Sequence, residues 1–347
     1  MTQKHTANIH RSLILTGIIA LCLTGCINKN NPLNSSTGKT NEILIVADNQ
    51  LWQSPLTDTT LALLHENLPC IPQAEPRFST IQIPTQNFSN IYQPHRNILM
   101  FMKEDNPAHQ ITLSHDQWSQ PQTIIRIYGK NAEQMAEVVG KYKNEILQRF
   151  NESERQRIQK AYRPLENPNH SRLLSQTYHL QLLIPNDYFI AKQTEDFIWF
   201  RKETKDFSLG IFLHISPYTN SNQFSLNNII ALRDSLTQAH IFGPAPGSFM
   251  KTSNDPIPPQ QTPLTLNNNY AIETRGLWKM QGDFMGGPYI HYTLVDTTTR
   301  QLINIDGYTY APNLPKRDLL RQIEALLHTL APLKPETPAQ QPAQPKK

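Results

Sequence analysis

The chain reads as an α+β protein of two lobes, each a mostly antiparallel sheet with helices packed against it. Three observations carry this reading. Short apolar or alternating stretches outnumber helical ones; the order of strands closed by an amphipathic helix occurs twice; and a polar, proline-containing stretch at 165–175 lies between the two occurrences. A length of 347 residues exceeds the ~100–200 of one domain and agrees with two. Apolar residues make up 38% and charged residues 17%, which suits packed cores and not a highly charged disordered chain.

Residues 1–25 have the three parts of an export signal: Lys4 and Arg11 at the start, the apolar run Leu13–Leu23, and small residues before a cysteine. The run is shorter than the ~20 apolar residues of a membrane-spanning helix. Leu23-Thr24-Gly25-Cys26 resembles the lipobox of bacterial lipoproteins, which implies cleavage before Cys26 and acylation of its thiol. Two or three acyl chains hold a protein at a bilayer where a single chain does so only marginally. Residues 26–41, rich in Asn, Ser and Lys, read as a flexible tether. They carry no acidic run after the cysteine, and this favours the periplasmic face of the outer membrane.

The first lobe spans 42–164. Glu42–Ala47 is a short apolar strand, and a helix from Thr57 or Asp58 places Leu61, Leu64 and Leu68 on one side. Phe78–Ile83 alternates as a half-buried strand does, Ile98–Met102 is apolar throughout as in a central strand, and Thr123–Tyr128 is a further strand. Asn131 opens a long helix whose Met135, Val138, Val139, Tyr142, Ile146 and Phe150 recur at helical spacing until Pro164 stops it. Its charged part, Arg149–Arg163, reads as a solvated face.

The stretch 165–175 reads as a linker, and the second lobe, 176–331, follows with strands at Tyr178–Ile184, Phe197–Lys202 and Leu209–Ile215. A helix over Phe224–His240 turns Leu226, Ile229, Ile230 and Leu236 inward. Six prolines make Phe242–Pro263 an irregular loop. Strands at Tyr270–Trp278, Tyr289–Val295 and Leu302–Tyr310 precede a last helix, Lys316–Leu330, with leucines and Ile323 on one stripe. Helices on both faces would make this lobe an αβα sandwich. Residues 332–347, rich in Pro, Gln and Lys, read as a disordered tail.

Charge excludes one class of partner. Without Lys4 and Arg11 there remain 30 basic and 28 acidic residues, with no basic cluster interleaved with aromatics, so no nucleic-acid binding is expected. Of the three cysteines, Cys22 lies in the leader and Cys26 at the cleavage site, which leaves Cys70 without a disulfide partner. No metal-ligand spacing, phosphate loop or nucleophile elbow occurs, so neither a metal nor a cofactor is expected. His109 and His115 are too far apart along a strand to share a metal. Ser248-Phe249-Met250-Lys251 matches Ser-x-x-Lys, but its companion elements are missing and it sits in the proline-rich segment.

One segment stands out. Arg275–Pro288 holds four of the 13 glycines and one of the four tryptophans. The candidate binding residues are Arg275, Trp278, Asp283, Phe284, Gly286 and Gly287. Either they form a loop that meets a protein, peptide or glycan, or Trp278 and Phe284 plug the core and the glycines make a sharp turn. Gly276-Leu277-Trp278 followed by Asp283–Pro288 resembles the domain-of-unknown-function family 4837, lipoproteins of the Bacteroidota, over most of the chain after Cys26. The resemblance implies an envelope lipoprotein and no assigned activity. The function expected is that of a non-enzymatic binding or assembly protein of the envelope; the alternative is a periplasmic hydrolase with dispersed catalytic residues.

Overall fold

The computed structural model describes residues 33–333, so the expected leader, Cys26 and the expected tail from residue 334 lie outside the described residues. Residues 35–333 form one compact unit. Part of the expected tether belongs to it: Thr37 N–H donates to Pro94 O at 2.8 Å, and Arg96 N–H returns a bond to Thr37 O at 2.9 Å. Asn41 is fully buried.

The α+β class holds, with a difference of pairing in the first lobe. There β1 (Glu42–Val46), β2 (Ser79–Ile83), β3 (Asn97–Lys103), β4 (Ile111–His115) and β5 (Thr123–Gly129) take the order β2-β1-β3-β5-β4. Only β4 with β5 is antiparallel; the other three pairings are parallel. The physical reason is the crossover after β1, where α1 (Asn49–Trp52) and α2 (Pro55–Leu64) carry the chain back to the starting edge before β2. Ser54 caps α2 by accepting from Leu56 N–H, with Pro55 at the first helical position.

The expected long helix is two: α3 (Ala132–Lys141), capped by the Asn131 side chain on Gln134 N–H, and α4 (Lys143–Tyr162), with Tyr142 at φ −102°, ψ 15° between them. Ile146 and Phe150 fill the core beneath the first sheet. Further along α4, Gln159 and Tyr162 donate to Ala325 O and Gln322 Oε1, both at 2.8 Å. Past the bend at Tyr142, α4 thus starts in the core of the first sheet and ends against the second lobe. The face read as solvated is not wholly so: Glu154 is 1% and Arg157 9% exposed, joined at 2.6 Å. The expected linker is also ordered, since α5 (Pro168–Thr177) lies there with Asn167 as its cap.

The second sheet is antiparallel throughout. Its strands are β7 (Phe189–Gln193), β8 (Phe197–Glu203), β9 (Ser208–Pro217), β10 (Phe249–Ser253), β11 (Gln260–Leu266), β12 (Asn269–Gln281), β13 (Gly286–Asp296) and β14 (Gln301–Tyr310), in the order β10-β12-β13-β14-β9-β8-β7. β11 also pairs with β12, beyond β10. Along β8, Phe197 and Trp199 enter one core while Ile198 and Phe200 enter the other, so both faces are covered. Against one lies α7 (Arg317–Leu327) with Leu320, Ile323 and Leu327; against the other lies α6 (Leu226–His240) with Leu236. Tyr178–Ile184 is not a strand of this sheet: only Leu180–Gln181 (β6) is extended, paired with β15 (Ala331–Pro332) from the start of the expected tail. The segment expected as irregular loop carries β10 and β11. Both are edge strands, and an edge tolerates Pro263 because no ladder bond is required on its outer side.

Candidate functional site

The motif of β12 and β13 serves two faces of one sheet. Arg275 and Trp278 are three residues apart, so their side chains leave β12 on opposite sides. Trp278 is 2% exposed; its Nε1–H donates to Thr309 O at 3.1 Å, and its ring meets Tyr308 edge-on at 5.4 Å. Gly287 lies directly across from it, and a Cβ there would collide with Thr309 O. One at Gly286 would stand 2.9 Å from Trp278 O. These two glycines are spacers inside β13 rather than a turn; the turn needs only Gly282, at φ +84°. Asp283 Oδ1 accepts from Phe284 N–H at 2.6 Å, and the Phe284 side chain stands fully exposed at the tip. On this face Trp278 walls a cavity of about 260 Å³ together with Trp199, Met250, Met285 and Tyr308.

On the other face Arg275 enters a larger and more polar cleft, of about 870 Å³, between α4, α7 and the β11–β12 edge. Arg275 is 8% exposed. Its Nε donates to Glu273 at 2.6 Å and its Nη2 to Glu324 at 2.9 Å, while Nη1 has no partner in the protein. Arg321, 7% exposed, is held by Asn151 Oδ1 at 2.8 Å and Arg77 O at 3.2 Å, and its Nε is likewise unpartnered. Arg155 Nη1 lies 2.9 Å from His328 Nδ1 and 2.8 Å from its Nε2. His328 Nε2 is 3.0 Å from Tyr292 Oη, and because the tyrosine proton is used on Glu273 the imidazole is the donor of that pair. Tyr292 O–H in turn donates to Glu273 at 2.9 Å.

The electrostatics agree with this wiring. Burial and then Arg155 hold His328 neutral, with its pKa down at about 3. Burial works against ionisation of Glu324, but Arg275, His328 and Arg321 outweigh it and bring its pKa to about 2. Burial lowers Arg321 to about 10, opposed by Glu324. Such concentrated perturbation in a cleft marks functional sites and structural ion networks alike.

Of the residues expected from sequence, the structure places Arg275 in this cleft, Trp278, Gly286 and Gly287 in or against the opposite core, and Asp283 and Phe284 in the turn. Arg155, Glu273, Arg321, Glu324 and His328 were not legible as a set. A signal existed on α7, where positions 321, 324 and 328 form a charged flank beside the leucine stripe.

The remaining motif residues serve structure. Ser248 is 1% exposed and donates to Ala245 O, away from a nucleophile's role, and His109 and His115 are surface residues. Cys70 is buried, its Sγ reaches Arg275 O at 3.4 Å, and burial raises its thiol pKa. Among the described residues no group of His, Cys, Asp and Glu could hold a metal, and no helix is long and apolar enough to cross a membrane.

The comparison with protein families then decides the relationship. Residues 167–329 match the domain of unknown function DUF4837. The second lobe is thus the part of the chain that is similar to DUF4837. The first lobe, over residues 36–163, matches a different model, the domain of unknown function DUF8532. The cleft therefore lies where the part similar to DUF4837 meets its neighbour, with Arg275, Arg321 and His328 from the former and Arg155 from the latter. No curated protein matches the chain. Among solved structures, a point mutant of the protein Mog1 is 8% identical with a TM-score of 0.30, covering 45% of this chain and 91% of its own. The Saccharomyces cerevisiae Ran-binding protein Mog1p is 9% identical with a TM-score of 0.28, covering 45% and 90%. Likeness at that level carries nothing about function.

Proposed function

We propose that the chain is a lipid-anchored protein of the bacterial envelope, on the periplasmic side of the outer membrane, whose body binds a ligand in the cleft between its two lobes. The anchor rests on Lys4, Arg11, the apolar run and Leu23–Cys26. The binding role rests on one observation: a polar cleft of about 870 Å³ opens where the two lobes meet, lined from both by Arg155, Glu273, Arg275, Arg321 and Glu324. That volume is within the ~300–1,000 Å³ of ligand sites, and lobe boundaries are a preferred place for them.

The chemistry speaks against the hydrolase alternative. Glu273 and Glu324 are two close acids, but both accept from Arg275, and Glu324 at about 2 has no proton to give at neutral pH. His291 and Asp306, 3.1 Å apart, resemble a catalytic relay but are 0% exposed behind Arg233.

The test uses the native lipoprotein crosslinked in envelopes. Gln148 is exposed on the α4 side of the cleft, so Gln148→Trp should fill the mouth, reduce ligand or partner capture, and leave the thermal midpoint unchanged. Undiminished capture sinks the cleft reading. Separately, Cys26→Ser should leave the precursor unprocessed or release the protein; a processed, membrane-bound Cys26→Ser chain refutes the anchor.

A further inference from the structure

We infer that the face of the first lobe where the chain enters the body lies on the surface of the phospholipid bilayer that holds the anchor; this rests on the acylation of Cys26. Covalent reach sets the orientation. Nine residues carry the chain from Cys26 to Ser35, and at ~3.3–3.6 Å per residue fully extended they span at most ~30 Å. A compact body of about 300 residues is itself ~50 Å across, from a radius of gyration of ~19 Å. The entry is therefore the part of the body held at the highest effective concentration against the bilayer. Its place in the fold is fixed. Ser35 bridges to Gln120, Thr37 bridges to His95, and Thr37 N–H donates to Pro94 O at 2.8 Å.

The surroundings of that entry suit a headgroup layer. Residues 84–94 and 117–122 carry no charged side chain, in a chain where charged residues make up 17%. The two segments form one patch. Ser119 Oγ donates to Pro94 O and Gln122 Nε2 to His95 O, both at 2.8 Å, and the Phe88 ring meets Trp118 edge-on at 5.2 Å. On this patch Ile91 stands 81% exposed, with Tyr92 beside it at 37%. Tyrosine and tryptophan settle at headgroup level, where an apolar ring and a polar tip are both satisfied. Arg126 lies over the Trp118 ring at 5.8 Å and spends its donors on the neutral Ser114 and Gln117, which leaves a cation beside the patch for lipid phosphate. Lys39, exposed two residues beyond Thr37, is a second. The other charged groups at the rim are engaged within the protein: Arg96 with Glu154 at 3.4 Å, His95 with Glu42 at 3.1 Å, and Asp116 with Gln122 N–H at 2.7 Å.

The experiment reconstitutes the full-length lipoprotein into vesicles of phosphatidylethanolamine and phosphatidylglycerol. A polarity-sensitive fluorophore is attached at Ile91→Cys or, as the reference, at Phe284→Cys in the second lobe. Both positions are exposed, so neither change threatens folding, and Cys70 is buried away from the label. A doxyl quencher at the top of the acyl chain lies at the ~5–10 Å depth that an interfacial apolar group reaches, so at least about twofold quenching with a blue shift is expected at position 91. Position 284 should stay unquenched. Equal quenching at the two positions, or none at 91 while the chain still floats with the vesicles, overturns the inference and leaves the anchor standing. Failure of the parent chain to float with the vesicles removes the anchor, and the inference with it. A blue shift at 91 that appears only in native envelopes, without quenching in vesicles, assigns the patch to a protein partner and likewise overturns the inference.

Discussion

Trp278→Ala is the perturbation that separates the two faces of β12. The indole is 2% exposed, packs edge-on against Tyr308, and has Gly287 cleared beneath it. Aromatic side chains bury ~150–250 Å² each, and at ~25 cal/mol per Å² the middle of that range is ~5 kcal/mol. Alanine keeps a small part, and the wall of the 260 Å³ cavity cannot collapse far because Thr309 and Gly287 are fixed by ladder pairing, so ~3–5 kcal/mol is expected. Phe284→Ala is the matched control: its side chain is wholly exposed, so a change within ~0.5 kcal/mol is expected. Urea unfolding followed by far-ultraviolet dichroism and by an independent hydrodynamic probe measures both. A loss below ~1.5 kcal/mol for Trp278→Ala, or one above ~1 kcal/mol for Phe284→Ala, would refute the assignment of Trp278 as core and Phe284 as free. Trp278→Ala should also leave capture by the cleft unaltered in any fraction that stays folded, because the residue faces the other way.

Three further outcomes are expected. Arg233→Met should cost ~3–5 kcal/mol by leaving Asp306 charged, buried and short of its partner at 2.8 Å, and Arg233→Met with Asp306→Leu should recover much of the loss; equal stability of the two variants in denaturant melts would contradict this. His328 has a folded pKa of about 3, below its unfolded value, so the unfolded chain binds the extra proton and stability should fall as pH drops from ~6.5 toward 3; Glu324, depressed to about 2, extends the loss below pH ~4.5. His328→Gln can keep both hydrogen bonds without titrating, so its thermal midpoint should vary less between pH 6.5 and 4, and an unchanged slope would rule His328 out as the cause. Gly287→Ala should destabilise about as much as a core overpacking change, ~1–3 kcal/mol, because the obstacle is the Thr309 backbone; a silent Gly287→Ala in a thermal melt would return the glycine to a turn role.

The sequence by itself determined the elements whose chemistry is local or periodic. The apolar stripes of α3 and α7, the alternation in β8, β9, β13 and β14, and the cap at Asn131 follow from side chains spaced for one buried face. The lipobox reading is of the same kind, a run of neighbouring residues. Tertiary structure decided what depends on distant partners. β10 and β11 are strands only because β12 offers them an edge, and their prolines hide the pattern. The first sheet is parallel because a helical crossover feeds it, which periodicity does not report. The bend at Tyr142 is invisible in the heptad-like spacing because α3 and the start of α4 bury the same face in the first core. For the site the contrast is sharper. Arg275 was visible within a glycine- and tryptophan-rich motif, yet its partners come from positions 155, 321, 324 and 328, up to 173 residues apart, where each alone reads as a solvated charge. Packing α4 against α7 desolvates them together, and only that shared burial turns scattered charges into one wired cleft.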